Sequence, residues 1–498
     1  ITTLLFILRM FSIFLLVTLA LLTWIVFRKK SPRTPPGPFG LPIVGYLPFL
    51  DRTNPAKCLN KLERKYGSLF SLKFGSRNAV VVGDFEQVKE LFAKPEVSSR
   101  PELFAFSMFS QGIQRGVIVS SGTKWHTLRR FALRHMKDVG MVKNTMNDII
   151  TLEVEDMILN LKSKNGDPVN MTGVIIIPIL NIIWNIIAGA RMSHEDPEFL
   201  NIMKALCHSF EKMWDIMGIS FLPNFLTSLI PGSLYDFDKI VSVDTWFKAY
   251  SHKLIHGLRE TYDPNHMRHV IDYFFKEMEK PGSLEGSEVF THEELIYLIA
   301  DFFSAGAETT TTTIKYAILY LLHHTDIQLK IQDEIDHVIG NSRLPTLDDR
   351  GSLHYFEAFL NEVQRSADIV PLGVPHFVTS DVEIGKYIIP KDTLLISNLY
   401  SIHNDPRYWP NPEKFDPERF LENGKCIQNK DGFVPFSHGK RRCIGEPLAK
   451  AELFLILSGL LQKFNFRVCP GQLPPAITKR PGIVTHPDEY ELVVVSRH

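Results

Sequence analysis

Apolar residues run without a charge through positions 10–27, and the basic string Arg28, Lys29, Lys30 and Arg33 comes directly after them. Eighteen such residues are about enough to cross a bilayer as a helix, and the basic flank predicts a cytoplasmic side for the rest of the chain. A cleaved signal peptide is the competing expectation; it is disfavoured because no small-residue cleavage site succeeds the run. Pro32, Pro35, Pro36, Pro38 and Pro42, interleaved with Gly37, Gly40 and Gly45, cannot extend a helix and predict a semi-rigid elbow. The chain therefore divides into an anchor over 1–30, a proline-rich hinge over 31–48 and a body over 49–498.

Within the body the periodicity is mixed. Positions 69–74 alternate and 79–82 run apolar around Gly75, Ser76, Arg77 and Asn78, which predicts a β-hairpin, with a helix over 86–92 after it. Positions 147–187 read as helical and strongly apolar, 293–322 as a helix of about thirty residues, and 446–464 as another apolar helix. The aromatic stretch 104–109 lacks regular caps and predicts a loop lining an apolar pocket. The apolar stretch 217–231 is broken by Pro223 and Pro231.

Composition narrows the partners. With 55 basic and 55 acidic side chains there is no cationic excess to neutralise a phosphate backbone, so nucleic acid is excluded. A chain of 498 residues, 45% of them hydrophobic, can bury a large core. Cys58, Cys207, Cys426, Cys443 and Cys469 are scattered and form no CxxC pair, the usage of a reducing compartment. The chain begins with Ile1, and Met10 is a candidate start.

Two stretches carry chemistry. In the long helix, five consecutive threonines, 309–313, each cost about 0.5 kcal/mol against alanine and Gly306 about 1 more, so its centre is weak, as functional sites are. Small residues at Ala305 and Gly306 would let a flat ligand approach, and Thr309 Oγ can reach the Ala305 carbonyl and loosen the helix. The second stretch is the loop 433–445. Gly439 and Gly445 flank Cys443 where a tight turn beside a large flat ligand would exclude a Cβ. Cys443 precedes a helix N-terminus and lies beside Lys440, Arg441 and Arg442, a setting that favours a thiolate. From these residues alone it is a nucleophile, a metal ligand or a structural thiol.

The spacing of Phe436, Gly439, Arg441, Cys443 and Gly445 resembles the haem-binding loop of the cytochrome P-450 superfamily, and of its classes the microsomal, drug- and steroid-metabolising one. The resemblance covers essentially the whole chain after the anchor. It implies a mainly α fold with smaller β-sheets (α+β): a triangular prism of helices around a buried haem b, plus an N-terminal transmembrane helix. It makes Cys443 the iron ligand, with Phe436, Arg441, Gly445 and Ala305 also against the haem. Trp125 and Arg129, four apart on one helix face, resemble the pair that binds the haem propionates, and Arg100 and His376 resemble further propionate ligands. Glu308 and Thr309 resemble the catalytic acid–alcohol pair that manages protons. Glu362, Arg365 and Arg419 resemble a buried structural network. Substrate would border Phe104, Phe106, Asp301, Phe302, Ala305, Val370, Val374, Ile483 and Val484, with 217–231 as a lid dipping into the membrane.

The activity so implied inserts one oxygen atom of O2 into a small lipophilic substrate, a xenobiotic, steroid or fatty acid. Electrons would come from NADPH through the flavins of a cytochrome P-450 reductase, with cytochrome b5 a further partner, docking on Lys124, Arg130, Arg134, Lys137, Lys440 and Arg442. The place implied is the endoplasmic reticulum membrane, single-pass, with a cytosolic catalytic domain. Two other readings stay open: a haem-thiolate isomerase or dehydratase that does not use O2, and a non-catalytic membrane haem protein. His438, Arg442 and Ser366 depart from the residues common at those positions.

Overall fold

The computed structural model of the chain describes residues 9–20, 32–108, 110, 112–139, 144–193, 216–227, 229–232, 237–280 and 289–497. The elements that position the site are, in chain order, β1 (Leu69–Phe74), β2 (Arg77–Val82), α1 (Gly122–Asp138), α2 (Asn144–Ser163), β3 (Pro168–Asn170) and α3 (Met171–Ala188). They continue with α4 (His292–His323), α5 (His354–Ala367), β4 (His376–Phe377), β5 (Leu394–Ser397), α6 (Glu446–Lys463), β6 (Phe464–Arg467) and β7 (Glu491–Ser496). The α+β architecture expected from the sequence is the one observed.

β1 and β2 form the expected hairpin, with Leu69 opposite Val82 and Phe74 opposite Arg77. Its turn is tighter than the polar spacer implied, because Gly75 adopts a φ of +58° and Arg77 and Asn78 already pair. β5 adds parallel to β2, and β4 antiparallel to β5. A second sheet joins β6, β7 and β3. The stretch 147–187, expected as continuously helical, is split: Asn165 and Gly166 turn the chain at φ +49° and +85°, and Pro168 opens β3.

α3 is apolar on every side, and burial explains why: it packs between α2 and α4. By length and composition it could cross a membrane, yet it lies in the core. The helix at Arg9–Ala20 is the reverse case, with Phe11, Phe14 and Leu16 exposed. Its twelve residues rise about 18 Å, short of a bilayer's apolar layer. The remainder of the expected 10–27 span and the basic flank at 28–30 lie outside the described residues.

α4 begins where the Thr291 side chain accepts a hydrogen bond from the Glu294 N–H, and it runs 32 residues against α3, α5 and α6. Behind it, Glu362 on α5 is fully buried and accepts from Arg365 Nε and Nη2, both at 2.7 Å, and from Arg419 Nε at 3.1 Å. The Asp416 N–H donates to the same carboxylate at 2.9 Å. Leftover donors of the two arginines reach the carbonyls of His403, Pro412, Pro410 and Lys414. One carboxylate serves both arginines and their remaining donors are bonded to carbonyls, and a buried ion group holds only when its members are paired in this way. Glu362→Gln should therefore lower the unfolding free energy by about 3–5 kcal/mol, read as a shift in the denaturant midpoint of the solubilised chain followed by circular dichroism; an unchanged midpoint would remove the network from the fold's support.

Candidate functional site

One turn of 3-10 helix, Gly439–Arg441, delivers Cys443 just ahead of α6. The Cys443 N–H donates to the Phe436 carbonyl at 3.1 Å and closes the loop. The two flanking glycines do different work. Gly439 has φ +77°, and a Cβ there would come within 2.0 Å of the Phe92 carbonyl oxygen, so it serves a backbone contact. At Gly445 a Cβ would meet only Cys443 Sγ, at 3.9 Å, so this glycine keeps space open beside the sulfur.

The Cys443 side chain has accessible surface, yet protein is packed densely around the sulfur. That enclosure pushes the thiol's pKa up, and the N–H groups of Gly445 and Glu446, with Arg129, only partly oppose it. The expected help from flanking cations is smaller than the sequence implied, because Arg441 turns inward and Arg442 grips Glu446 at 2.6 and 2.7 Å. A metal bonded to the sulfur would supply the missing stabilisation.

Beside the loop, Arg441 lies 3.8 Å over the Trp125 ring and donates to the carbonyls of Ser98, Val117 and Ser120. Arg100 donates to the carbonyls of Val374 at 2.8 Å and Pro375 at 2.9 Å, and half-buried Arg129 to that of Arg442 at 2.6 Å. No carboxylate among the described residues pairs with any of the three. Burial first, and then their mutual repulsion, push Arg100 down to about 9 and Arg441 down to about 8. Trp125 Nε1 is buried and has no hydrogen-bond partner among the described residues. His376 joins the group: burial and the fields of Arg100 and Arg441 hold it neutral, while Nδ1 donates to the Val97 carbonyl at 2.7 Å.

Buried cations and an orphan N–H without an acid are costly unless an anion completes them. Haem b, with an iron centre for a thiolate and two propionates for the arginines and the indole, fits both halves of this site.

Across from the loop, α4 uses its threonines in two ways. Thr309 Oγ1 donates to the Ala305 carbonyl and Thr313 Oγ1 to the Thr309 carbonyl, each at 2.8 Å, as anticipated for the first. Thr310 instead reaches Glu452 at 3.0 Å, and Thr312 pairs with His486 Nδ1 at 3.0 Å. Gly306 answers to packing, since a Cβ there would lie 2.6 Å from Ile183 Cδ1, and not to a flat ligand as expected.

Ala305 and Thr309 line a cavity of about 1390 Å³, together with Phe106, Asp301, Val370, Val374, Ile483 and Val484. A smaller space of about 40 Å³ runs from Thr309 and Thr313 to Phe436 and Ala449, so the threonine helix and the cysteine loop face one another. Two expected wall residues are absent from it: Phe104 is turned to solvent, and Phe302 packs into the core. Asp301 lines the cavity with its carboxylate already taken by the N–H groups of Val117 and Ile118, and burial pushes it up to about 7. In the expected lid, Met217, Phe221 and Ile230 border the cavity and Leu229 is exposed.

Glu308 does not line the cavity; its carboxylate lies 3.2 Å from His486 Nδ1. Of the expected docking cations, Arg130, Arg134, Lys137 and Lys440 are exposed. Lys124 is drawn inward to buried Glu294 at 2.7 Å, alongside Arg115 at 2.9 Å, and Arg442 is held by Glu446. Sequence reasoning missed Glu294, Glu452 and His486. Glu452 left a signal, a lone acid in the apolar middle of α6, where burial pushes it up to about 8; His486 left none.

Comparison with known proteins agrees with this geometry. The Cytochrome P450 family profile matches residues 35–494. Cytochrome P450 2C28 of Mesocricetus auratus is 38% identical over 454 residues, which is 90% of this chain and 91% of its own length. Cytochrome P450 2C3 of Oryctolagus cuniculus is 37% identical over 471 residues, 93% of this chain and 94% of its own. Cytochrome P450 2B19 of Mus musculus is 35% identical over 499 residues, 98% of this chain and 100% of its own. With a cysteine loop facing a threonine helix and, beside that loop, arginines that no acid among the described residues pairs, the chain belongs to the cytochrome P450 family of haem-thiolate monooxygenases.

Proposed function

We propose that this chain is a membrane-attached monooxygenase that inserts one oxygen atom of O2 into lipophilic substrates, using electrons from NADPH delivered by a flavoprotein reductase. One observation carries the reading: the acid-free set of Arg100, Arg129 and Arg441 around the orphan indole of Trp125, next to Cys443. Cys443 would ligate the iron, and the arginines, Trp125 and His376 would hold the propionates. His376 Nδ1 already donates to the Val97 carbonyl, so only Nε2 would face a propionate; a carboxylate there favours a second N–H, which burial and the cationic neighbours oppose. Bound haem supplies the oxygen-activating chemistry, with thiolate ligation favouring O–O cleavage.

The chain's own residues do the rest. The apolar walls from Phe106, Val370, Val374, Ile483 and Val484 strip water from a lipophilic substrate and orient it. Thr309 spends its hydroxyl proton on the Ala305 carbonyl, which leaves its oxygen free to accept and position a proton donor at the cavity wall. Glu308, one residue back and turned away from substrate, is suited to hold the reserve proton. The exposed cations Arg130, Arg134, Lys137 and Lys440 would meet an acidic redox partner, whose association weakens with salt. The exposed apolar helix at Arg9–Ala20 supports attachment to a membrane, and the reading takes that membrane to be the endoplasmic reticulum with the body in the cytosol.

Reductase-supported turnover of a mixed panel of lipophilic compounds, dependent on NADPH, tests the reading directly. Cys443→Ala should abolish the thiolate-type spectrum of the reduced carbon monoxide complex; its persistence would remove Cys443 as the ligand. In Thr309→Ala, NADPH consumption should continue while product falls about a hundredfold, the lower end of what one positioned proton-transfer group contributes, and unchanged coupling would take Thr309 out of the reaction. Removing residues 1–27 should weaken sedimentation with membranes yet leave haem incorporation intact.

A further inference from the structure

Glu308, Thr312 and Lys315 are spaced four and three apart on α4 and so share one face. The segment 480–490 lies along that face. Backbone hydrogen bonds between Arg480 and His486, at 2.7 and 3.2 Å, fix the ring's position. Its Nδ1 stands 3.2 Å from Glu308 Oε1 and 3.0 Å from Thr312 Oγ1. Further along, Lys315 Nζ meets Glu489 Oε1 at 2.6 Å, and Tyr490 Oη donates to the Lys315 carbonyl at 2.6 Å. Lys315 is buried, but the Glu489 side chain is 49% exposed. Two polar pairs therefore follow one another along this face of α4, Glu308 with His486 and then Lys315 with Glu489, and the second opens to solvent.

Resting on the oxygenase reading, we propose that His486 is a positioning residue for proton supply: it holds Glu308 in place and restores its proton from the surface end marked by Lys315 and Glu489.

The charged groups facing the ring are Glu308 and Lys315 from α4 and Arg480 and Glu489 from its own segment. Burial, with Lys315 and Arg480, lowers its pKa to about 4, against the pull of Glu489. The ring is thus neutral at pH 7, with one nitrogen protonated and the other bare. A neutral imidazole transmits a proton without storing charge. The N–H bond at Nδ1 breaks as its proton passes to the Glu308 carboxylate, and an N–H bond forms at Nε2 with a proton from solvent. The ring is neutral before and after, and tautomer exchange with solvent resets it. Nε2 is available for this, since it has no hydrogen-bond partner among the described residues. Thr312 accepts from Nδ1 in one tautomer and donates to it in the other.

The test uses the full chain with carbon-13-labelled histidine, observed by NMR across pH, and the same protein supported by reductase. The His486 ring signal, identified by its loss in His486→Asn, should titrate near pH 4. Its midpoint should move down in Glu308→Gln, which removes the carboxylate that favours the imidazolium, and up in Lys315→Met, which removes the opposing cation. A midpoint indifferent to Glu308→Gln overturns the link. Asparagine preserves a hydrogen-bonding group near the Nδ1 position but cannot relay, so His486→Asn should raise hydrogen peroxide released per NADPH severalfold and alter its pH profile. Parental coupling and pH profile in His486→Asn would overturn the proton role and reduce the ring to a strut. If the parent protein gives no thiolate-type carbon monoxide spectrum, the oxygenase reading has failed, and the ring titration still decides whether His486 and Glu308 act as a pair.

Discussion

Arg129 and Arg441 over Trp125, with Arg100 beside them, have no acid among the described residues to neutralise them, and the organisation of this end of the molecule stems from that imbalance. Their donors are turned onto backbone carbonyls, those of Arg100 and Arg441 on the 98–120 and 374–375 segments, so the cations double as ties that hold these loops to the cysteine loop. What the carbonyls cannot supply is net negative charge. An isolated buried cation costs several kcal/mol, and neighbouring ones repel as well. Binding of a dianionic group would remove that cost in the folded state alone, so the proposed haem would be coupled to folding stability through electrostatics as much as through a bond to sulfur.

The opposite wall is built on a different compromise. Five β-branched hydroxyl residues in a row are poor helix formers, and α4 recovers what it loses by giving four of them a hydrogen bond each. Two bonds run back into the helix and loosen it at the cavity wall. The other two run outward to Glu452 and His486 and bind α4 to α6 and to the C-terminal segment. The same residue type thus softens the helix on one side and fastens it on the other, which lets a weak segment keep a fixed position.

Much of this was legible in the sequence where a local rule governs. The hairpin of β1 and β2, the limits of α4 and α6, and the back-bond from Thr309 to Ala305 all come from spacing and side-chain reach. The interruption between α2 and α3 was also written locally, in Asn165, Gly166 and Pro168, but the apolar periodicity on either side outweighed it. Failures lie where two distant segments meet. Gly306 looked like room for a ligand until Ile183 filled it; Lys124 looked like a free surface charge until Glu294 claimed it. Glu308 pointing at His486 could not be foreseen, because nothing in either stretch announces the other.

The two arginine clusters show why a motif is weaker than a closed account of charge. Arg365 and Arg419 share Glu362, and their remaining donors are spoken for by carbonyls. Arg100, Arg129 and Arg441 are likewise bonded to carbonyls but lack the acid, and beside them an indole N–H has nothing to bond. By residue type the clusters are alike. The first has an acid at its centre that both its arginines share; the second has none among the described residues, and it is this difference that the proposed haem propionates would answer. Which is which depends on counting opposite charges within reach, and that count exists only once the chain is folded.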